Sequence, residues 1–479
     1  MTTALGKWLT EQVPEKRLHL LRHQPSYFAD IGEVKRLRAW LTDFGFLEQK
    51  LAVAGITALI EDYDLALPLL SAGEQRTLKL IQGALRLSAH VLAEDNSQLA
   101  GQLWGRLLSF SEPEISALLE QTKQSHAKPW FHLLTPTLTP PGGPLLQTFS
   151  GHSDWVRAVA ITPDGTQVVS GSGDNTLKLW NLQTGEALVT FSGHSGFVRA
   201  VAITPDGTQA VSGSDDNTLK LWNLQTGEVL TTFSGHSSSV RAVAITPSGI
   251  QAVSGSWDNT LKLWDLQTGE ALTTFSGHSG FVRAVAITLD GTQAVSGSDD
   301  GTLKLWNLQT GETLATFCGH SSGVNAAVIT PNGTEAVSGS GDGTLKLWNL
   351  QTGEALATFS GHSGSVTAVA ITPDGTQAVS ASTEDNTLKL WNLQTGEALA
   401  TFSGHSSWVT AVAITPDGTQ VVSVSWDNTL KLWNLQTGEV VATFSGDNEL
   451  TSCAVAPDGV TLVVGETSGR VHFLRLEGI

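Results

Sequence analysis

The stretch GHSDWVRAVAITPDGTQVVSGSGDNTLKLWNLQTGEALVTFS, residues 151–192, decides the fold. It holds four short runs of β-branched or alternating residues: Val156–Thr162, Gln167–Ser172, Thr176–Leu182 and Ala187–Phe191. Successive side chains of a strand point to opposite faces, so such runs suit half-buried strands. Pro163-Asp164-Gly165 separates the first two runs and Gln183-Thr184-Gly185-Glu186 the last two, each a tight-turn sequence. The unit starts again at Gly193, Gly235, Gly277, Gly319, Gly361, Gly404 and Gly446, at steps of 42 residues with a single step of 43. A fixed period of that length means stacked supersecondary units, and four antiparallel strands per period make one blade of a β-propeller.

Four residue types keep fixed places in seven repeats. His152, His194, His236, His278, His320, His362 and His405 each follow a Gly. Ser170, Ser212, Ser254, Ser296, Ser338, Ser380 and Ser423 end the apolar part of the second run. Asp174, Asp216, Asp258, Asp300, Asp342, Asp385 and Asp427 stand six residues before Trp180, Trp222, Trp264, Trp306, Trp348, Trp391 and Trp433. A Ser, a His and an Asp together suggest a hydrolytic triad. Sevenfold recurrence, always with a Trp, argues for a structural role, since a buried Asp needs hydrogen-bond partners. The pattern closely resembles the WD-repeat β-propeller family over about 70% of the chain. The resemblance implies that each His-Ser-Asp-Trp set is a buried hydrogen-bond chain tying a blade together.

Leu145–Phe149 matches the outer run that ends each repeat, with no inner runs before it, and the last repeat ends after three runs. The expected fold is therefore a closed all-β propeller of eight four-stranded blades. Leu145–Phe149 would complete the last blade, and ring closure removes exposed sheet edges. Seven blades, the commoner number in the family, is the alternative. The eighth repeat carries Asp447, Gly465, Ser468 and Leu474 where the others have His, Ser, Asp and Trp.

The sequence before the repeats is of another class. Residues 1–144 carry 14 Lys and Arg against 15 Asp and Glu, whereas the remaining 335 carry 13 against 30. The break falls in the Pro/Gly-rich segment 135–144, which divides the chain into an all-helical domain at 1–130, a linker at 131–144 and the propeller at 145–479. Apolar residues at helical spacing mark the first domain, with segments Glu74–Leu92, Gln98–Leu108 and Glu112–Lys123. Trp40–Leu67, the linker from Pro129 and the closing Asp458–Gly478 resemble the helical-plus-propeller half of apoptotic protease-activating-factor-type NB-ARC signalling NTPases. That resemblance implies a sensing half without its nucleotide-binding module.

A net charge of −18 argues against sequence-independent nucleic-acid binding, which needs basic phosphate contacts. Two distant cysteines, Cys318 and Cys453, exclude a disulfide framework and fit a reducing, cytoplasmic compartment. There is no long apolar run for a membrane, no phosphate-binding glycine loop and no metal-ligand spacing, so no catalytic site, cofactor or metal is expected.

Differences among near-identical repeats carry the functional signal. They concentrate at three positions, read here in repeat order. The third residue after the His runs Trp155, Phe197, Ser239, Phe281, Gly323, Ser365, Trp408. The fifth runs Arg157, Arg199, Arg241, Arg283, Asn325, Thr367, Thr410. The residue before the Asp runs Gly173, Asp215, Trp257, Asp299, Gly341, Glu384, Trp426. Up-and-down topology puts all three at one end of the blades. The uniform Pro-Asp-Gly and Thr-Gly-Glu turns lie at the other, with an acidic ring of Glu186, Glu228, Glu270, Glu312, Glu354, Glu397 and Glu439. Trp and Arg dominate interaction hot spots. The varied end is thus the expected surface for a protein or peptide partner, through Trp155, Arg157, Phe197, Arg199, Asp215, Arg241, Trp257, Phe281, Arg283, Asp299, Trp408 and Trp426. The plainer alternative is that these aromatics merely cover loop backbone. An arc of arginines on one half of the mouth should face Trp408 and Trp426 on the other, with Trp155 adjacent to these across the ring closure. The expected protein is a non-enzymatic scaffold or sensor, monomeric alone. The runner-up is an accessory subunit of a separately encoded signalling NTPase or effector enzyme.

Overall fold

The computed structural model describes residues 3–125, 130–138, 140–141, 151–183 and 185–477. Among these, residues within Met1–Phe149, Ala442–Asp447 and Leu474–Ile479 make one compact unit, and those within Ser150–Val441 and Asn448–Phe473 make a second.

The described residues contain eight α-helices: α1 Ala4–Thr10, α2 Pro14–Asp30, α3 Val34–Leu41, α4 Phe44–Ala66, α5 Ala72–Leu87, α6 Ala89–Glu94, α7 Leu99–Leu107 and α8 Pro113–Ser125. Helix α4 is the hub, packed against α1, α2, α3, α5 and α8. Asp43 caps it by accepting from the Phe46 backbone N–H at 3.0 Å. Gly55, at φ 80°, breaks its helical path in a conformation that favours glycine. The continuous helix expected at Glu74–Leu92 is divided at Ser88, whose hydroxyl accepts from Arg106 Nε at 2.8 Å and donates to Gln102 Oε1 at 3.1 Å.

Eight four-stranded antiparallel sheets follow, as the repeat arithmetic requires. In the first blade the strands are Val156–Ile161, Gln167–Ser172, Thr176–Asn181 and Ala187–Ser192, in spatial order. The first strand of each blade packs against the first strands of both neighbours, and that of the first blade meets that of the eighth, so these strands line a closed central channel. The eighth sheet runs Leu450–Val455, Thr461–Glu466, Val471–Glu477 and then Trp130–Leu133, paired in the register Phe131 to Leu476 and Leu133 to Leu474. The place assigned from sequence to Leu145–Phe149, which lies outside the described residues, is thus filled by a strand 15 positions earlier. Trp130, Phe131 and Leu133 are buried, and Phe131 is 2% exposed, which supplies the driving force for that strand.

Each apolar core straddles two blades. Val169, Leu177, Leu179 and Phe191 of the first blade pack with Val198, Ala210, Trp222 and Leu224 of the second, and the same positions recur between later blades. The second and third strands join through a tight turn whose central residue has positive φ: Asn175 at 69°, Asn217 at 68°, Gly301 at 79°. Only Asn and Gly occupy this position in the seven full repeats, as that backbone demands. The other two turns of a blade are tied together by backbone hydrogen bonds, Leu182 N–H to Thr166 O at 2.9 Å in the first blade. This fixes the uniform turns at one end and the varied loops at the other.

Candidate functional site

The seven His-Ser-Asp-Trp sets form one repeated chain of hydrogen bonds. In the third blade Trp264 Nε1–H donates to Ser254 Oγ at 2.8 Å, Ser254 Oγ lies 2.8 Å from His236 Nε2, and His236 Nδ1 lies 2.7 Å from Asp258 Oδ2. With the serine proton turned to Nε2, the chain would run on through an Nδ1–H donated to Asp258. All seven serines are fully buried, so no substrate carbonyl can reach a serine oxygen. A fifth member was not singled out from sequence. Thr260 donates to Asp258 through both its backbone N–H at 3.0 Å and its hydroxyl at 2.7 Å, and Thr176, Thr218, Thr302, Thr344, Thr387 and Thr429 do the same in their blades. The signal was the invariant Thr two residues after each Asp.

The eighth repeat substitutes a different buried network. Glu466, fully buried, contacts His472 Nε2 and accepts from Ser468 Oγ at 2.6 Å. Burial would raise its pKa, but His472 and these donors outweigh that and hold it below the ordinary glutamate value. Asp447, in the position of the repeat histidine, accepts from Arg106 Nη2 of α7 at 2.9 Å. Arg106 is 2% exposed and also donates to Ser88 and Gln102.

At the varied end contacts join the twelve singled-out residues into a connected band. Trp408 stacks on Trp426 with centroids 4.7 Å apart, and Trp155 meets Trp426 edge-on at 6.3 Å. Arg157 lies 5.0 Å above the Trp155 ring and 5.2 Å from that of Phe197. Arg199 also lies 5.2 Å from the Phe197 ring and holds Asp215 with Nε at 2.9 Å. Arg241 lies 4.0 Å over Trp257, which stacks on Phe281 at 5.0 Å. Arg283 pairs with Asp299, whose backbone N–H donates to Phe281 O. Trp155 meets Trp426 across the ring closure, and its contact with Arg157 links the aromatic side to the arginine arc. Trp155, Phe197, Phe281 and Trp408 are each 38–45% exposed, a concentration of apolar surface that isolated side chains would not give.

The other part of the channel wall is fastened shut. Asn325 Nδ2–H donates to Val366 O at 3.0 Å, Thr367 Oγ1–H to Val409 O at 2.8 Å, Thr410 Oγ1–H to Leu450 O at 3.0 Å, and Thr451 Oγ1–H to Val156 O. Each clips one blade to the next. The arginines hold the equivalent positions in the first four blades and line an open depression of about 470 Å³ with Asn325, Ser365 and Thr367. Among the described residues no cluster of three or more His, Cys, Asp or Glu could hold a metal ion, and no helix is long and apolar enough to cross a membrane.

A closed ring of eight blades, seven of them pinned by a His-Ser-Asp-Trp chain, defines a repeat-built propeller. The model of the WD domain, G-beta repeat matches residues 143–181, 185–223, 227–265, 269–307, 311–349, 353–392 and 396–434. The chain belongs to that family. It is 34% identical, with a TM-score of 0.62, to the crystal structure of the computationally designed Ika8 protein, a match covering 68% of this chain and 98% of that one. Pleiotropic regulator 1 of Bos taurus is 33% identical over 97 residues, 20% of this chain and 17% of the relative. NACHT domain- and WD repeat-containing protein 1 of Homo sapiens is 28% identical over 190 residues, 37% of this chain and 12% of the relative. The chain thus spans a small part of the length of both curated relatives.

Proposed function

We propose that this chain is a non-enzymatic, cytoplasmic interaction scaffold or sensor that holds a protein or peptide segment on the varied end of its propeller. The observation that carries this reading is the exposed band from Trp408 through Trp155 and Arg157 to Phe281, set beside an arginine-lined depression. Its aromatic members supply apolar contact at low entropic cost, and its guanidinium groups supply directional hydrogen bonds. The test is capture of partners from the source cell by the full chain, compared with Trp408→Ala/Trp426→Ala. Retention by the parent and loss by the variant supports the reading; equal retention overturns it. A second reading, an accessory sensing subunit of a signalling NTPase of the apoptotic protease-activating-factor or a related type, is favoured by the similarity to the NACHT domain- and WD repeat-containing protein. An NTPase among the captured proteins would select it.

A further inference from the structure

We propose that the four arginines at the channel mouth bind a phosphomonoester group carried on a protein segment. This deepens the reading of the varied end as a binding surface and rests on it. Arg157, Arg199, Arg241 and Arg283 come from four consecutive blades and line one depression. Among the described residues only two carboxylates touch them. Asp215 serves Arg199 and stands 3.5 Å from Arg241, and Asp299 serves Arg283. The field of Asp154 also reaches Arg157, without ion-pair contact. Positive charge is therefore left over at this mouth, in a chain of net charge −18.

The surplus lies where the guanidinium groups are poorly served. Arg157 Nε–H is buried and has no hydrogen-bond acceptor, and buried Arg241 Nη1, 3.5 Å from Asp215 Oδ1, makes an ion pair but no hydrogen bond. Leaving a buried donor unpaired costs more than a normal hydrogen bond returns. Burial first, and then the neighbouring Arg199, lower the pKa of Arg241 to about 10, and the same two causes lower that of Arg157. The site thus disfavours its own cations, and a bound anion removes that penalty. A carboxylate brings one charge and two oxygens. A phosphomonoester brings a charge of about −1.5 to −2 and three acceptor oxygens, which suits several converging guanidinium forks. A polynucleotide suits it poorly. The patch is small, and the rest of the propeller is acidic, with Glu186, Glu228 and their equivalents in the Thr-Gly-Glu turns. The exposed rings of Trp155 and Phe197 flank Arg157 and offer apolar contact to residues beside the phosphorylated one.

Calorimetric titration of the full chain at low salt with O-phospho-L-tyrosine, inorganic phosphate, acetate and L-tyrosine tests this. The expected result is binding of both phosphates at one site, at least tenfold tighter than acetate, with no binding of tyrosine. Arg157→Gln/Arg241→Gln should weaken phosphate binding at least tenfold while keeping the parent's melting temperature, and Lys262→Gln, on the third strand of its blade, should change nothing. A degenerate phosphotyrosine peptide library should be retained by the parent over its unphosphorylated twin. Acetate binding as tightly as phosphate, phosphate binding indifferent to the double variant, or retention of inorganic phosphate without any phosphopeptide would each overturn the proposal. Partner capture that survives loss of phosphate binding would overturn it while leaving the interaction surface intact. Capture that is insensitive to Trp408 and Trp426 would instead overturn that surface.

Discussion

The indole of Trp408 lies almost flat on that of Trp426, 4.7 Å between centroids and 20° between planes, although the two residues belong to different loops of one blade. The loops are held by a backbone hydrogen bond from Trp426 N–H to Trp408 O at 3.0 Å, so the pair is preformed. A partner that covers it gains apolar burial without first ordering either ring. Replacing both by Ala should cut partner affinity at least tenfold. Stability should fall by only about 1 kcal/mol, the scale of one aromatic pair at a half-exposed site. Affinity by calorimetry and melting temperature by circular dichroism separate the two effects. A large loss of stability with intact binding would contradict this reading.

Asp258 accepts hydrogen bonds from His236, from the Ser237 backbone N–H and from both donors of Thr260. Asp258→Ala should leave these donors without an acceptor in a low-exposure site and lower stability by about 1–3 kcal/mol. Neighbouring repeats share interfaces, so the loss should lower the cooperativity of the propeller transition too. Urea unfolding checks both, and an unchanged midpoint would refute a structural role for these sets.

Arg106 and Asp447 form a pair with one nearly buried member. Removing one charge from such a pair strands the other, at about 3–5 kcal/mol. Arg106→Met and Asp447→Ala should each be strongly destabilising, while the double variant should recover part of the loss. A double-mutant cycle by thermal unfolding measures the coupling. Purely additive effects would mean that the pair is incidental.

The two compact units should respond to acid in opposite directions. Burial would raise Asp300 and Asp342, but hydrogen bonds from Thr302 and the Ser279 N–H, and from Thr344 and the Ser321 N–H, outweigh it and hold both at about 2. Their contribution is complete above the unfolded carboxylate value of about 4 and is lost as pH falls through about 2. Burial also holds His278, His320 and His362 below the ordinary imidazole value against the pull of their aspartates. The unfolded chain takes up those protons first, so propeller stability should drop as pH falls below about 6.5. In α4, Asp62 is raised to about 6 by burial, against the attraction of Lys50 at 2.9 Å. The folded form binds that proton more tightly, so this contribution weakens as pH rises from about 4 to about 6. Scanning calorimetry from pH 7 to pH 3 should show a falling propeller transition. Asp43, also raised by burial, adds a slope of the same sign, so Asp62→Asn should reduce the opposing slope of the helical unit. A propeller transition flat between pH 7 and pH 5 would refute the histidine part.

Most of the propeller was legible because its information is periodic. The Gly-His pair, the Asp and the Trp sit at constant spacing, and constant spacing is what a rotation around a ring requires. The closing strand was misplaced because Leu145–Phe149 matches the repeat's outer strand by composition, whereas Trp130–Leu133 matches it only through burial of Trp130, Phe131 and Leu133 against its partner. Repeat matching finds self-similarity and cannot see a strand of different composition. The Glu466–His472 network was missed for the same reason, since one copy has no period. At the mouth, the residue types were readable but not their joining. Whether Arg157 reaches toward Trp155 or away from it depends on side-chain packing, which repeat spacing does not encode.

The inner circumference is fastened in two ways, and the difference makes it mechanically uneven. From the fifth blade round to the first, Asn325, Thr367, Thr410 and Thr451 clip each strand to the next through neutral hydrogen bonds. Over the first four blades the same positions carry guanidinium groups, whose contacts with Asp215 and Asp299 are screened by dissolved ions. One side of the ring should therefore keep its stiffness in any salt, while the other becomes more compliant as ionic strength rises. Amide exchange at Val198–Ile203 and Val240–Ile245 would quicken in salt, and exchange at Val366–Ile371 and Val409–Ile414 would hold steady, giving this wheel a soft arc and a rigid one.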